Sequence, residues 1–253
     1  SIYHKFNKLQ LYYVKKIEEY TFKYSDYVTV VSKYMKELYK NKYRIRNIDV
    51  IYNGFDNERK TNNRLGVKNL NENNFSISYT GILYPERKDI FIKFIILINE
   101  LKIIDSNTEK NIMVYIAGNI NKKTIRYLDA ISRNSFNYLG NLSVENSLYI
   151  QRKSDILLLI TGDISEFPLK LFEYINSGKM ILYLANNINP EIEEILRSTG
   201  TGISFNIDQS EEIKEFIKKY YCEEICINSN KMEISRFDFS NSAKKILNII
   251  EEF

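Results

Sequence analysis

The feature that most constrains this chain is a sixfold alternation of two kinds of segment. Short runs rich in β-branched and aromatic residues, SISYT (76–80), IMVYIA (112–117), FNYL (136–139), DILLLI (155–160), MILYLA (180–185) and GISF (202–205), are separated by helix-length stretches. Those stretches, FIKFIILINELK, KTIRYLDAISR, VENSLYIQRK, PLKLFEYINS and EIEEILRST, carry apolar residues at helical spacing. Runs that stay apolar instead of alternating are strands buried on both faces. The pattern therefore predicts an α/β fold, a doubly wound, Rossmann-like parallel sheet with helices on both sides.

The glycines sharpen this. Only nine occur, and four follow a strand: Gly81, Gly118 and Gly140 directly, Gly162 after one residue. A glycine there lets the chain turn sharply and approach a ligand, and in open α/β sheets ligands sit outside the carboxyl ends of the strands. A crevice is expected at that edge. The stretch SEFPLKLFEYINSGK (165–179) adds charge beside it: Glu166, Lys170 and Glu173, at spacings of four and three, fall on one stripe of a helix. Phe167, Leu171, Phe172 and Ile175 take the other side. Pro168 suits the first turn and Gly178 the residue past the end.

The first 56 residues differ. Residues 2–24 read as a basic, Tyr-rich helix, YVTVVS as a strand, KYMKELYKN as a helix and IDVIYNGFD as a strand running into a turn, the tail of an α/β unit with too few strands for a sheet. Residues 57–73 are polar and read as a linker. A helix at 209–221 and a last one from Ser240, read as its N-cap, complete the chain. It begins with Ser inside a running helix, so a piece of a longer protein is expected. Lys+Arg 36 against Asp+Glu 32 leaves a surplus too small to argue for nucleic acid. Cys222 and Cys226 have no histidine or further cysteine near them to complete a metal site, and His4, the one histidine, reads as surface. No run is long and apolar enough for a membrane span, so a cytoplasmic protein is expected, with a weak contact to a membrane surface compatible with its charge.

SDYVTVVSKYMKEL followed by IDVIYNGFD resembles the end of the N-terminal domain of GT-B glycosyltransferases, in the large retaining group with a Glu-x7-Glu motif. SISYTGILYPERKD resembles the opening of their C-terminal, donor-binding domain. MVYIAGN, FNYLGNLSVEN and YIQRKSDILLLI fit the next units in order, and SEFPLKLFEYINSGKMILYLA resembles the motif block in its P-x-K-L-F-E-Y form. The likeness covers almost the whole chain. It implies a remnant of the acceptor domain at 1–56, a linker at 57–73, a donor-binding domain at 74–238 and a final helix at 239–253 crossing back.

The resemblance implies a retaining, metal-independent hexosyltransferase, without cofactor, that uses a UDP- or GDP-sugar and a glycan or lipid-linked acceptor in building surface polysaccharide or glycolipid. Catalysis would fall to Arg87, Lys170 and Glu166. Gly81 would admit the diphosphate, and Arg87 stands where the family has a phosphate-binding lysine. The family's other cation is absent, since Ile82 follows the glycine, and Lys170 is the candidate to replace it. Glu173 matches the second motif glutamate, which holds ribose hydroxyls. The first falls on Ser165, with Glu166 beside it: either Glu166 reaches the sugar hydroxyls or that contact is lost. Asn119, Asn141, Leu142 and Leu169 would line the base and sugar pocket. Two rivals remain, a donor-binding module without turnover and a GT-B-shaped nucleotide-sugar epimerase, the latter disfavoured by the single histidine.

Overall fold

The computed structural model describes residues 7–57, 70–71, 73–101, 111–132 and 134–252, which form two compact units, Ser1–Asn53 and Gly54–Phe253. His4 and most of the 57–73 segment lie outside the described residues.

In the first unit, helix α1 (Lys8–Tyr24) starts at Asn7, whose side chain accepts from the Gln10 amide while the Gln10 side chain accepts from the Asn7 amide, a complete capping box. Strand β1 (Val28–Val30), helix α2 (Lys33–Tyr43) and strand β2 (Ile48–Val50) follow. Contrary to the expectation that these strands are too few for a sheet, β1 and β2 pair in parallel, Val28 opposite Ile48. Ring contacts of Phe22 with Tyr39 and Tyr43 hold α1 on α2.

The second unit is the doubly wound domain. Its elements are β3 (Phe75–Thr80), α3 (Pro85–Glu100), β4 (Ile112–Ala117), α4 (Lys122–Ile131), β5 (Phe136–Gly140), α5 (Val144–Lys153), β6 (Ile156–Ile160), α6 (Lys170–Ser177), β7 (Met180–Ala185), α7 (Pro190–Thr199), β8 (Gly202–Asn206), α8 (Ser210–Tyr221), α9 (Lys231–Ser235) and α10 (Phe239–Glu251). All six strands are parallel, in the order β5-β4-β3-β6-β7-β8. Strands β3, β6 and β7 are buried at every residue; β6 and β7 are unbroken apolar runs, while the buried hydroxyls of β3, Ser76, Ser78 and Thr80, pair with Asp155, Ser154 and Gln151. The core fills one side with Ile77, Phe91, Phe94, Ile116, Leu158, Leu182 and Ile213, all fully buried.

Two boundaries correct the sequence reading. The final helix is capped by Asp238, whose side chain accepts from the Ser240 amide, so Ser240 lies within it. Helix α6 starts only at Lys170, after Leu169 and without a side-chain cap, which leaves Glu166, Phe167 and Pro168 in the preceding loop. The ring of Pro168 disfavours helical backbone at Phe167, so the expected stripe from Glu166 to Glu173 is broken between loop and helix. Gly178 does end α6, at φ 71°. The short α9, not anticipated, is capped by Asn230.

Candidate functional site

The strand order turns outward on either side of the β3–β6 pair, which is the switch point of the sheet, the place where open α/β sheets hold ligands outside the carboxyl ends of their strands. The loops that follow β3 (81–84) and β6 (161–169) meet there. The glycines that follow β3 and β4 are required. Gly81 and Gly118 adopt φ of 147° and 135°, and a Cβ on Gly118 would stand 1.9 Å from the Gly81 carbonyl oxygen. Gly81 in turn donates to the Ala117 carbonyl at 2.8 Å, so the loops after β3 and β4 touch through bare backbone.

Pro85 opens α3 at its first position, which carries Arg87 one turn into the crevice. The guanidinium donates through Nε to Glu166 Oε2 at 3.0 Å, its Nη2 lies 3.0 Å from the same oxygen, and Nη1 donates to the Tyr79 hydroxyl at 3.3 Å. It also lies over the Tyr84 ring, 5.2 Å from the centroid. Burial opposes the Arg87 charge, but Tyr79 and Glu166 outweigh it and its pKa is raised. Burial likewise pushes the Tyr79 hydroxyl up. Glu166 Oε2 also accepts from the Gly162 amide at 3.0 Å, so one carboxylate ties the first turn of α3 to the β6 loop. Asn189 braces that loop from beneath, donating to the Ile164 carbonyl at 2.7 Å.

The second cation is also paired. Lys170 Nζ lies 2.6 Å from Glu173 Oε2, with both side chains about one-third exposed. The same oxygen accepts from Gln151 Nε2 at 3.2 Å. Tyr174, next on α6, is fully buried, and burial pushes its hydroxyl up. That hydroxyl accepts from the Thr80 amide at 2.9 Å and lies 3.1 Å from Thr80 Oγ1.

The structure thus brings Gly81, Arg87, Glu166, Lys170 and Glu173 to one end of the sheet. Asn119 and Asn141 follow β4 and β5 at the same edge and are exposed. Leu142 packs against Leu70, Tyr115 and Ile150, as a side chain of a small core does. Ser165 is turned onto Asp163, donating through its amide (2.8 Å) and hydroxyl (2.5 Å), and this holds the Asp163 carboxyl below its ordinary value. Leu169 is largely exposed before α6. Sequence reasoning missed Tyr79, which pairs with Arg87 eight residues on, and Thr80, Gln151, Tyr174 and Asn189, whose pairings across the fold leave no local pattern. Among the described residues no three His, Cys, Asp or Glu side chains gather as a metal site.

Residues 1–59 match the model of Glycosyltransferase Family 4. No curated protein matches the sequence. Among solved structures, Anabaena HepE in complex with UDP and glucose has a TM-score of 0.72 at 16% identity, with 100% of this chain and 69% of that one covered. Sucrose-phosphate synthase from Thermosynechococcus elongatus follows at 0.66 and 11%, covering 94% and 60%. A glycosyltransferase from Rickettsia africae gives 0.63 and 17%, covering 89% and 63%. The fold is that of GT-B glycosyltransferases. Against the second and third of these proteins the chain spans less than two thirds of their length. The loops at the β3–β6 switch point, with their two ion pairs, are the candidate functional site.

Proposed function

We propose that the chain is the donor-binding part of a retaining, metal-independent glycosyltransferase that uses a nucleoside diphosphate sugar and a glycan or lipid-linked acceptor. The observation that carries the reading is the convergence of Arg87 and Lys170 with Glu166 and Glu173 on the switch-point crevice. The solved HepE structure, similar in fold, is a complex with UDP and glucose. As the glycosidic bond breaks, charge accumulates on the departing diphosphate. Arg87, Lys170 and the amides at the start of α3 are suited to meet that charge. Glu173 takes the ribose hydroxyls as acceptor, and Gly81 admits the phosphates. Asn119, Asn141, Ser165 and Leu169 line the sugar and base side. The division at 1–56, 57–73, 74–238 and 239–253 belongs to the same reading.

A peripheral contact with an anionic membrane surface is part of the proposal. It is supported by the exposed Leu9, Tyr13, Ile17, Tyr20 and Tyr24 stripe on α1, flanked by lysines. Among the described residues no helix is long and apolar enough to cross a membrane.

Calorimetry tests the central claim. UDP or GDP should bind with micromolar to millimolar affinity, unchanged by EDTA. A folded protein that binds neither diphosphate overturns the reading.

A further inference from the structure

The side chain of Gln151, on α5, has no exposed surface, yet it sits among polar groups. Its Nε2 lies 3.0 Å from Thr80 Oγ1, 3.2 Å from Ser147 Oγ and 3.2 Å from Glu173 Oε2. Its Oε1 is buried and has no hydrogen-bond partner. The orientation of the amide is dictated by its neighbours. Turned around, it would set a carbonyl oxygen against the Glu173 carboxylate, acceptor against acceptor. The amide therefore keeps its donor on Glu173 and leaves its own carbonyl desolvated and unpaired.

For a residue that served only packing this is a poor solution. An unmade hydrogen bond in a buried place is costly, and an apolar side chain of similar length would avoid it. The group's surroundings show what the amide does instead. Lys170 and Gln151 both address Glu173 Oε2, and among the described residues no hydrogen bond falls on the other carboxylate oxygen. Through Thr80, the last residue of β3, the same amide is joined to the strand that leads into the Gly81 loop. Thr80 is joined again to α6 by the Tyr174 hydroxyl.

We infer that Gln151 is a positioning residue that fixes the Glu173 carboxylate, with one oxygen turned out for a diol, and locks it to the end of β3. The inference rests on the donor reading above. Gln151 does not itself touch the ligand, since the side chain is fully covered; it acts by holding Glu173 in one rotamer, so the ligand does not have to order it.

The test uses Gln151→Met, which keeps the length and apolar stem, deletes the donor and also removes the unpaired carbonyl. It is compared with Glu173→Gln and the double variant, with calorimetry of uridine and UDP, guanosine and GDP, and thermal melts. Gln151→Met should melt at or above the wild-type temperature. It should weaken nucleoside and nucleoside diphosphate by the same factor, about five-fold or more. In the Glu173→Gln background it should cost nothing further. Wild-type affinity in Gln151→Met, or an equal loss with and without Glu173, overturns the inference and leaves the donor reading standing. A folded wild-type protein that binds none of the four ligands overturns both.

Discussion

Glu166→Gln is the sharpest probe of how the crevice handles charge. The family resemblance implies that this change leaves nucleotide affinity untouched, because Glu166 would reach only the sugar hydroxyls or make no contact. The structure places the carboxylate on Arg87 instead, at 3.0 Å, with the two side chains only 15% and 26% exposed. A diphosphate approaching Arg87 must therefore compete with an anion already there. Two unit charges about 6 Å apart at an effective dielectric of about 40 interact by ~1.4 kcal/mol. Partial exposure trims this to about 1 kcal/mol, so Glu166→Gln should tighten UDP roughly five-fold. Folding should respond in the opposite direction. The glutamine oxygen still accepts from the Gly162 amide, but the half-buried guanidinium loses its counter-charge. Removing one partner of a buried pair costs ~3–5 kcal/mol, and about 1–2 kcal/mol is appropriate at this exposure. For a chain of this size that is a drop of about 3–6 °C in the melting temperature. Calorimetry with UDP and melts with and without it read both effects. Weaker UDP binding in Glu166→Gln would show that the carboxylate holds Arg87 in its binding pose rather than competing for it, and would refute the reasoning.

Lys170→Met should weaken UDP by about ten-fold and uridine by clearly less, the latter through its hold on Glu173, and an equal loss for both ligands would exclude a phosphate contact. Gly118→Ala should lower stability by more than 2 kcal/mol or displace the β3 loop enough to abolish UDP binding, read by melts and calorimetry, because the new methyl meets the Gly81 backbone and the residue keeps φ 135°. Asp238→Ala should cost about 1 kcal/mol through loss of the α10 cap. The hydrogen bonds from Ser240 lower the Asp238 pKa, so this stabilisation is present above the ordinary carboxylate range and lost as the pH falls through the depressed value. Denaturant titrations should therefore show the gap between variant and wild type narrowing in acid.

The sheet was legible because its signal is local. Runs such as IMVYIA and MILYLA coincide with β4 and β7 residue for residue, since a strand buried on both faces favours apolar residues throughout and the flanking loops are polar. The glycines after the strands were legible for the same reason: at Gly81 and Gly118 they are demanded by backbone geometry. What the sequence hid is pairing at a distance. Arg87 and Glu166 are 79 residues apart, and Gln151 and Thr80 are 71 apart. Gln151 reads as an ordinary polar residue of an amphipathic helix until the α5–α6 contact closes over it. The helical stripe failed because three charges at helical spacing say nothing about where the helix begins, and the proline between them decides that.

The two ion pairs change what the crevice can do chemically. With Lys170 on Glu173 and Arg87 on Glu166, each cation is already compensated, so the two pairs present little net charge to an anion. On the proposed reading, a diphosphate binds by exchange: it takes the guanidinium and ammonium, and the carboxylates must find other partners. A ribose diol supplies such a partner for Glu173. A sugar hydroxyl supplies one for Glu166, which is otherwise left partly buried and uncompensated beside bound phosphate. A donor lacking its sugar therefore satisfies only half of the exchange. Discrimination in favour of the complete nucleotide sugar follows from the cost of that stranded carboxylate, without requiring Glu166 to occupy the position that Ser165 holds in the motif.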